Sequence, residues 1–407
     1  MFVGIENTPR GYDWGSDNAI SELLGAAPAG GPEAELWLGS HAGSPARVTD
    51  PAEVGGARDL AEWIAASPSD ALGSHPRLPF LFKVLAAGAP LSLQAHPTTQ
   101  QAQDGFAREN ALGVRLDAPQ RNYKDPYPKP EIILAVSERF EALCGFRPVG
   151  QTIQLARGLG LDDLAARLEN QPLADVFEWL ITRGDGVAAL IDRVVALAAG
   201  EPKTKEIDAA TAAPDAETTE SGRDSFVLGN AIEATLDTVR RLDAAHPGDP
   251  GIVVSLLINR VTLRRGDALY LPAGNIHAYL DGLAVELMVA SDNVLRGGLT
   301  SKHVDVAELL RVLDFSTTEV PYLRPLPVGG AQLFQPDGPG IALLQITGPA
   351  SHALTGPAIA LCTAGRLTVT GVASSAELSR GDAVYVTPDE AALTFAGEGE
   401  VFLATTA

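Results

Sequence analysis

Three short segments of the sequence carry side chains of the types that bind metal ions. In Gln94-Ala95-His96-Pro97, which follows an apolar run, residues two apart on a strand point to the same face, so Gln94 and His96 could meet one ligand. The segment Pro272-Ala273-Gly274-Asn275-Ile276-His277 ends a strand-like run and places His277 where the mouth of a β-barrel would lie. In the third segment, Glu131 opens the apolar run 132–136, and a carboxylate there is costly unless a cation meets it.

These residues also allow plainer interpretations. A single histidine on a strand is commonly a hydrogen-bonded core residue, Glu131 could pair with a lysine or arginine, and Gln94 alone is uninformative. A mixed set of nitrogen and oxygen donors would suit zinc or another divalent ion. Spacing alone leaves both interpretations open.

A second group of candidates is ionisable. Glu286 lies inside an apolar run, where burial raises the pKa of a carboxylate, and Arg296 precedes two glycines that let the backbone approach a ligand closely. If four basic residues lie near one mouth, they form a local anion site. Each could equally be a solvated loop charge beside an acidic partner. The four are Lys83, Lys129, Arg296 and Lys302.

The elements that would position these residues change in character along the chain. Residues 1–150 and those after 251 show short apolar runs separated by Gly, Pro and Asp, which is typical of strands. Residues from about 151 to 246 carry apolar side chains at helical spacing, as in Leu173, Val176, Phe177 and Leu180. Residues 201–224 have no apolar period, which predicts a mobile loop.

A short internal repeat indicates two related β-barrels. Arg265-Gly266-Asp267-Ala268-Leu269-Tyr270-Leu271-Pro272 recurs as Arg380-Gly381-Asp382-Ala383-Val384-Tyr385-Val386-Thr387-Pro388. A Gly-Asp turn followed by an alternating strand and a proline is typical of a jelly-roll strand. Only the first copy continues to a histidine, His277, so one barrel is expected to carry a site and the other to lack one.

Composition and charge exclude several classes of partner. The 407 residues include 30 Lys+Arg and 51 Asp+Glu, a formal net charge of −21, which argues against nucleic acid or an anionic membrane as the main partner. Two cysteines, Cys144 and Cys362, are too few for a disulfide framework. With no apparent signal peptide or membrane span, the sequence predicts a soluble, cytoplasmic protein.

Taken together, the segments resemble the type I mannose-6-phosphate isomerases (phosphomannose isomerases) of the cupin superfamily. The motifs occur in family order from residue 12 to residue 303, and the C-terminal barrel matches only loosely. The residues that carry the resemblance are Tyr12-Asp13-Trp14-Gly15, Glu35-Leu36-Trp37-Leu38-Gly39-Ser40-His41, Leu81-Phe82-Lys83-Val84-Leu85, Gln94-Ala95-His96-Pro97, Tyr123-Lys124-Asp125, Lys129-Pro130-Glu131, the segment from Pro272 to Tyr279, and Ser291-Asp292-Asn293-Val294-Leu295-Arg296-Gly297-Gly298-Leu299-Thr300-Ser301-Lys302-His303.

The resemblance implies a mainly β fold with an α-helical domain, built from two cupin-like jelly-roll barrels. The expected division is a catalytic barrel (1–150 with 247–318), a helical domain (151–246) and a C-terminal barrel without metal ligands (319–407). It implies one zinc ion per chain, with other divalent metals as alternatives. Its ligands would be Gln94, His96, Glu131 and His277.

The implied reaction is the interconversion of D-mannose 6-phosphate and D-fructose 6-phosphate by proton transfer between C1 and C2 through an enediol-type intermediate. Arg296 matches the family's catalytic arginine, and Glu286 and Lys129 are both candidates for the proton-transfer group. The remaining candidates are contacts for the sugar phosphate. They are Ser92, Lys83, Lys302, Tyr279, Asp292 and Trp14.

Two rival functions stay open. A cupin-type metal dioxygenase would use histidines and one carboxylate, and both Gln94 and the basic residues speak against it. A non-catalytic sugar-phosphate-binding protein would keep the same site without turnover. The other expectations are a monomer, a small phosphorylated sugar as the only partner, and a role in mannose metabolism that includes GDP-mannose biosynthesis.

Overall fold

The fold is that of a computed structural model, which describes residues 1–200, 227–317 and 319–407. The loop expected near 201–224 lies outside these described residues. The described part is mainly β with a block of helices, which confirms the coarse fold class.

One sheet contains the segments singled out by their chemistry. Its longest strand, β10, runs from His277 to Val289 and lies at the centre, with different neighbours along its two halves. The first half pairs with β5 and β7, and the second half pairs with β4 and β6. The strands of this sheet are β2 (Glu35–Leu38), β4 (Phe80–Ala87), β5 (Gln94–Ala95), β6 (Glu131–Ala135), β7 (Phe140–Phe146), β8 (Ile258–Leu263), β9 (Ala268–Leu271), β10 and β11 (Leu295–Arg296).

The second sheet is formed mostly by the C-terminal part of the chain. Its central pair is β16 with β19, and all the registers described in it are antiparallel. The strands are β1 (Phe2–Glu6), β3 (Arg47–Val48), β12 (Leu326–Val328), β13 (Ala331–Phe334), β14 (Ile341–Ile346), β15 (Ala350–Ala353), β16 (Ala358–Thr370), β17 (Ser375–Ser379), β18 (Ala383–Val386) and β19 (Ala392–Thr406).

The two N-terminal strands of this second sheet differ from the expected division. The boundary 1–150 placed β1 and β3 with the catalytic part, but β1 pairs with β18 and β3 pairs with β1. Phe2 lies opposite Val386, and Ile5 lies opposite Ala383. Val3 and Ile5 are buried in the apolar layer shared by the two sheets, so β1 is an integral strand of the second sheet.

Most of the described helices lie between β7 and β8, where the apolar spacing predicted them. Three shorter helices precede β4, and one longer helix follows β5. The helices before the block are α1 (Ala19–Leu24), α2 (Leu60–Ala66), α3 (Pro68–Leu72) and α4 (Thr99–Ala111). The block contains α5 (Val149–Gly158), α6 (Asp162–Asn170), α7 (Leu173–Ile181), α8 (Val187–Ala199), α9 (Leu228–Ala245) and α10 (Gly251–Val254), and α11 (Val306–Val312) follows the first sheet.

The cores follow from the alternation of side chains along the strands. Phe82 and Val285 face an apolar layer shared by the two sheets, which also contains Phe402 of the second sheet. Ile133 and Ala284 point to the opposite face of the first sheet, into a smaller apolar cluster beneath the chemically active side chains. The site is therefore built on strands that are packed on both faces, which fixes its side chains.

Two further findings bear on the sequence predictions. In the described ranges no helix is long and apolar enough to span a membrane. Cys144 and Cys362 are both buried free thiols.

Candidate metal centre

Two histidines and a glutamate meet at one end of the first sheet. Glu131 opens β6, His277 opens β10, and His96 follows β5 directly. The Nε2 atom of His96 lies 3.3 Å from Glu131 Oε1, and the Nε2 atom of His277 lies 3.4 Å from Glu131 Oε2. All three residues are buried.

Their inward atoms have no hydrogen-bond partner among the described residues. These atoms are the Nε2 atoms of His96 and His277 and the Oε2 atom of Glu131. One potential ligand atom from each residue lies within 4.8 Å of the other two. Buried polar atoms without partners are costly, so this arrangement fits a bound cation that would satisfy them.

The opposite ring nitrogens fix the tautomers. His96 Nδ1 lies 2.8 Å from the carbonyl oxygen of Asn293, and His277 Nδ1 lies 3.1 Å from that of Asn275. A carbonyl only accepts, so each Nδ1 carries the proton and each Nε2 presents a lone pair to the centre.

Charges in the centre also suit metal ligation. Burial, followed by the nearby Lys129 charge, lowers the pKa of His96 to about 4. Burial opposes ionisation of Glu131, but the nearby Lys129 charge outweighs it and holds the pKa of Glu131 well below the usual range. The Nζ atom of Lys129 lies 2.9 Å from Glu131 Oε1. A neutral imidazole beside an ionised carboxylate is the protonation state that zinc requires.

Gln94 and Arg296 adjoin this centre through strand register. Gln94 lies opposite His277 on one side and opposite Arg296 on the other. Burial lowers the pKa of Arg296, whose side chain is half-buried. Lys302 is exposed, but desolvation by neighbouring atoms and the Arg296 charge lower its pKa, so the two cations act on each other.

A second charged group lies on the same face of the sheet, around the pairing of β4 with β10. Lys83 and Glu286 are directly opposite each other on β4 and β10, and their Nζ and Oε2 atoms are 2.8 Å apart. Lys83 Nζ also lies 3.4 Å from Glu35 Oε1, and the Tyr279 hydroxyl donates to Glu286 Oε1 at 3.0 Å. Lys83 therefore balances two buried carboxylates.

The pKa shifts of this group follow from burial and from these partners. Burial alone would lower the pKa of Lys83, but the charges of Glu286 and Glu35 outweigh it and the pKa rises. Burial raises the pKa of Glu286, and the Glu131 charge adds to the effect while Lys83 opposes it. Tyr279 has a pKa well above its ordinary value because it is buried beside Glu286.

The remaining candidates lie toward the rim. Ser92 is half-buried between Leu91 and Leu93, which are held by backbone hydrogen bonds to Tyr279 and Gly298. Trp14 stacks against Tyr12, with their ring centroids 5.7 Å apart. It also packs against the smaller apolar cluster of the first sheet, which contains Ile133 and Ala284. Asp292 is exposed, and its carboxylate lies 2.8 Å from His41 Nε2.

Three side chains in this region were not selected as candidates from the sequence. Glu35 and Trp37 are two apart on β2, so both face Lys83, and the Lys83 ammonium lies 5.3 Å from the Trp37 ring centroid. The sequence feature that could have identified them is the alternation of an acidic and an aromatic residue in a short strand. The side chain of Asn293 is fully buried and also escaped selection, because an asparagine in a loop motif has no distinctive pattern.

Comparisons with known proteins agree on one family. A family model described as phosphomannose isomerase type I, catalytic domain, matches residues 2–149. The mannose-6-phosphate isomerase of Escherichia coli K12 is 33% identical, with 97% of each chain covered. The mannose-6-phosphate isomerase of Mus musculus is 28% identical and covers 94% of this chain and 92% of its own.

Solved structures give the same result. The apo form of mannose 6-phosphate isomerase from Salmonella typhimurium superposes with a TM-score of 0.83 at 29% identity, over 100% of this chain and 99% of that one. A zinc-bound holo structure of a mannose 6-phosphate isomerase superposes equally well, with a TM-score of 0.83 at 29% identity and the same coverage.

Proposed function

The chain belongs to the type I phosphomannose isomerase family, and we propose that Gln94, His96, Glu131 and His277 hold one zinc ion in its active centre. The protein is a zinc enzyme with mannose-6-phosphate isomerase activity, which interconverts mannose 6-phosphate and fructose 6-phosphate. The observation that carries the ligand assignment is the convergence of three buried, unpartnered ligand atoms from His96, Glu131 and His277.

The reaction moves protons without changing the overall composition of the sugar. The proton on C2 of the aldose passes to a base and returns to C1, while O2 loses a proton and O1 gains one. When bound, zinc supplies a Lewis acid that polarises the sugar oxygens. Arg296 lies opposite Gln94 in the strand register, and its guanidinium would stabilise the negative oxygen charge of the enediol-type intermediate.

Two residues remain candidates for the proton-transfer group. Glu286 is buried and has a raised pKa, which makes it a stronger base toward a substrate proton than an exposed carboxylate. Lys129 contacts Glu131 directly and is therefore closer to the proposed ligands. Lys83 holds Glu286 in place through its 2.8 Å ion pair.

We assign the polar rim to the sugar phosphate. Arg296 and Lys302 act on each other electrostatically, and a phosphate between them would relieve their repulsion. Ser92, Lys83, Tyr279, Asp292 and Trp14 are proposed contacts for the phosphate, the hydroxyls or the face of the sugar. The exposed position of Asp292 favours a hydroxyl rather than the phosphate as its partner.

The finer architecture and the cellular setting belong to the same proposal. The two sheets are proposed to form cupin-like jelly-roll barrels, one catalytic and one without ligands, with the helices of 151–246 as a domain between β7 and β8. The protein would act as a cytoplasmic monomer on a small sugar phosphate, in mannose metabolism and GDP-mannose biosynthesis. The two buried free thiols are consistent with a reducing compartment.

Turnover of mannose 6-phosphate, measured with metal content before and after chelation, tests the ligand set. We expect activity to disappear with the chelator and to return with zinc, and His277→Ala to lose both zinc and turnover. Bound metal without isomerase activity would contradict the proposal. Oxygen consumption in that sample would then identify an oxidative enzyme, and tight sugar-phosphate binding without turnover would identify a binding protein.

A further inference from the structure

Two loops beside the metal centre are joined by a dense set of hydrogen bonds. We refer to residues 124–127 and 291–293 together as the loop pair. The Ser291 hydroxyl donates to Asp125 Oδ1 at 2.8 Å, and the Asp292 backbone N–H donates to Asp125 Oδ2, also at 2.8 Å. Both oxygens of one carboxylate are thus used to hold the second loop.

Asn293 completes the loop pair with its side-chain amide. Its Oδ1 accepts from the backbone N–H of Lys124 at 2.7 Å. Its Nδ2 donates to the carbonyl oxygens of Asp125 and Tyr127, both at 2.8 Å. The side chain is fully buried, and its donors and acceptor all serve residues 124–127.

Each loop leads directly to one of the proposed ligands. The backbone carbonyl of Asn293 accepts the His96 Nδ1 proton at 2.8 Å, so the position of this carbonyl orients the imidazole. Tyr127 is followed by Pro128, Lys129, Pro130 and then Glu131. Each proline fixes its own φ and restricts the residue before it. A shift of the backbone at residue 127 is therefore transmitted to Glu131 with little change in the backbone conformation between them.

We propose that Asn293 is a positioning residue that sets the placement of the His96 ring relative to the Glu131 carboxylate, and so sets metal affinity and coordination geometry. This inference rests on the proposed assignment of His96 and Glu131 as ligands. The amide does not touch the metal or the substrate. It acts through the loop pair, whose two halves it joins together with the Asp125 carboxylate.

The sharpest variant is Asn293→Asp. It keeps the size of the side chain and the acceptor for Lys124, but it removes both donors and turns a carboxylate oxygen toward the carbonyls of Asp125 and Tyr127. Loss of a residue that orients metal ligands lowers metal affinity by roughly 10- to 100-fold. We expect that loss for zinc, measured by competition with a chromophoric chelator, together with a changed visible spectrum of the cobalt-substituted protein.

Three comparison variants separate positioning from general destabilisation. Asn7 donates to the carbonyls of Trp37 and Ser44 at 2.8 Å and 3.1 Å, and Asn7→Asp makes the same chemical change away from the loop pair. It should lower the melting temperature without altering zinc affinity or the cobalt spectrum. Ser291→Ala removes one bond of the loop pair and should give a smaller effect in the same direction as Asn293→Asp. His277→Ala removes a proposed ligand outright.

The outcomes are distinguishable. Wild-type affinity and spectrum in both Asn293→Asp and Ser291→Ala, with zinc lost in His277→Ala, would overturn the positioning role and leave the ligand set intact. Full zinc affinity in His277→Ala would instead overturn the ligand set. If Asn293→Asp does not fold, the Ser291→Ala result decides, because an unchanged affinity there contradicts the proposal and a reduced one supports it.

Discussion

The Nδ1 atom of His96 lies 2.8 Å from the carbonyl oxygen of Asn293, a residue 197 positions further along the chain. His277 has the same arrangement with Asn275 at 3.1 Å. In both cases a backbone carbonyl, rather than a carboxylate, holds the far side of the ring. Each ring therefore directs its Nε2 atom toward Glu131, the one carboxylate of the three residues.

The first prediction concerns the pH dependence of stability in the metal-free protein. The pKa of His96 is lowered to about 4 in the fold, so the unfolded chain binds more protons at this residue between pH 6.5 and 4. The stabilisation that the lowered His96 pKa gives to the fold is fully present above pH 6.5. It is lost as pH falls toward 4, and the free energy of unfolding then decreases by on the order of 3 kcal/mol in total. When the free energy of unfolding in urea is plotted against pH, the slope for His96→Gln should be correspondingly shallower than that of the wild type over this range.

The control for that experiment is His303→Gln, at an exposed position. It should keep the wild-type dependence on pH. Equal slopes for wild type and His96→Gln would contradict the buried, neutral imidazole.

The second prediction concerns the charge of the proposed ligand set. Glu131→Gln removes the only carboxylate among the proposed ligands and leaves Lys129 buried without its partner. We expect zinc affinity to fall by more than about 100-fold. This loss exceeds the usual effect of removing a residue that only orients the ligands through hydrogen bonds. Equilibrium dialysis with zinc measures this, and Glu33→Gln, which alters a buried carboxylate bound to Ser21, should retain zinc.

The third prediction concerns the buried ion group of the first sheet. Lys83→Met leaves Glu35 and Glu286 buried without their shared cation, and we expect a loss of about 3–5 kcal/mol in the free energy of unfolding. Lys302→Met, at an exposed lysine, should change it by no more than about 0.5 kcal/mol. Similar small losses in both variants would show that the ion group adds little to stability.

The fourth prediction concerns Arg296. Arg296→Ala should lower kcat by roughly 100- to 1,000-fold, because it removes a donor that acts on charge developing in the transition state. Zinc content should not change. Arg296→Lys should recover only part of the rate, since an ammonium lacks the planar fork of a guanidinium. A rise in KM with kcat intact would instead assign Arg296 to binding alone.

The fifth prediction concerns the close contact between α4 and Tyr123, the residue that precedes the loop pair. A Cβ at Gly105 would lie 2.3 Å from the ring of Tyr123, which is fully buried and donates to Glu308. Gly105→Ala should therefore destabilise the protein by about 1–3 kcal/mol. Gly150→Ala, in α5 with open space around it, should stabilise by about 0.4–1 kcal/mol in thermal or urea melts.

Local patterns in the sequence predicted most of the elements that hold the site. The apolar spacing of Leu173, Val176, Phe177 and Leu180 corresponds to α7, and the cost of a lone carboxylate at Glu131 indicated a cation, which the structure provides in Lys129. Both inferences use neighbours within a few residues. That is the range over which side-chain types alone carry information.

Local patterns could not predict which strands pair with partners far along the chain. The placement of β1 in the C-terminal sheet depends on its register with β18, and nothing in a five-residue apolar strand specifies a partner so far along the chain. The role of Asn293 was hidden for another reason. Its contact with His96 is made by a backbone carbonyl, which every residue type possesses.

The pairing of β1 with β18 also orders events during synthesis. Residues 2–6 are synthesised long before their partner strand, 383–386. Val3 and Ile5 therefore lack this pairing on every nascent chain that has not yet reached that strand, and exposed apolar strands of this kind are prone to aggregate. β1 can take its place in the second sheet only after β18 has been made.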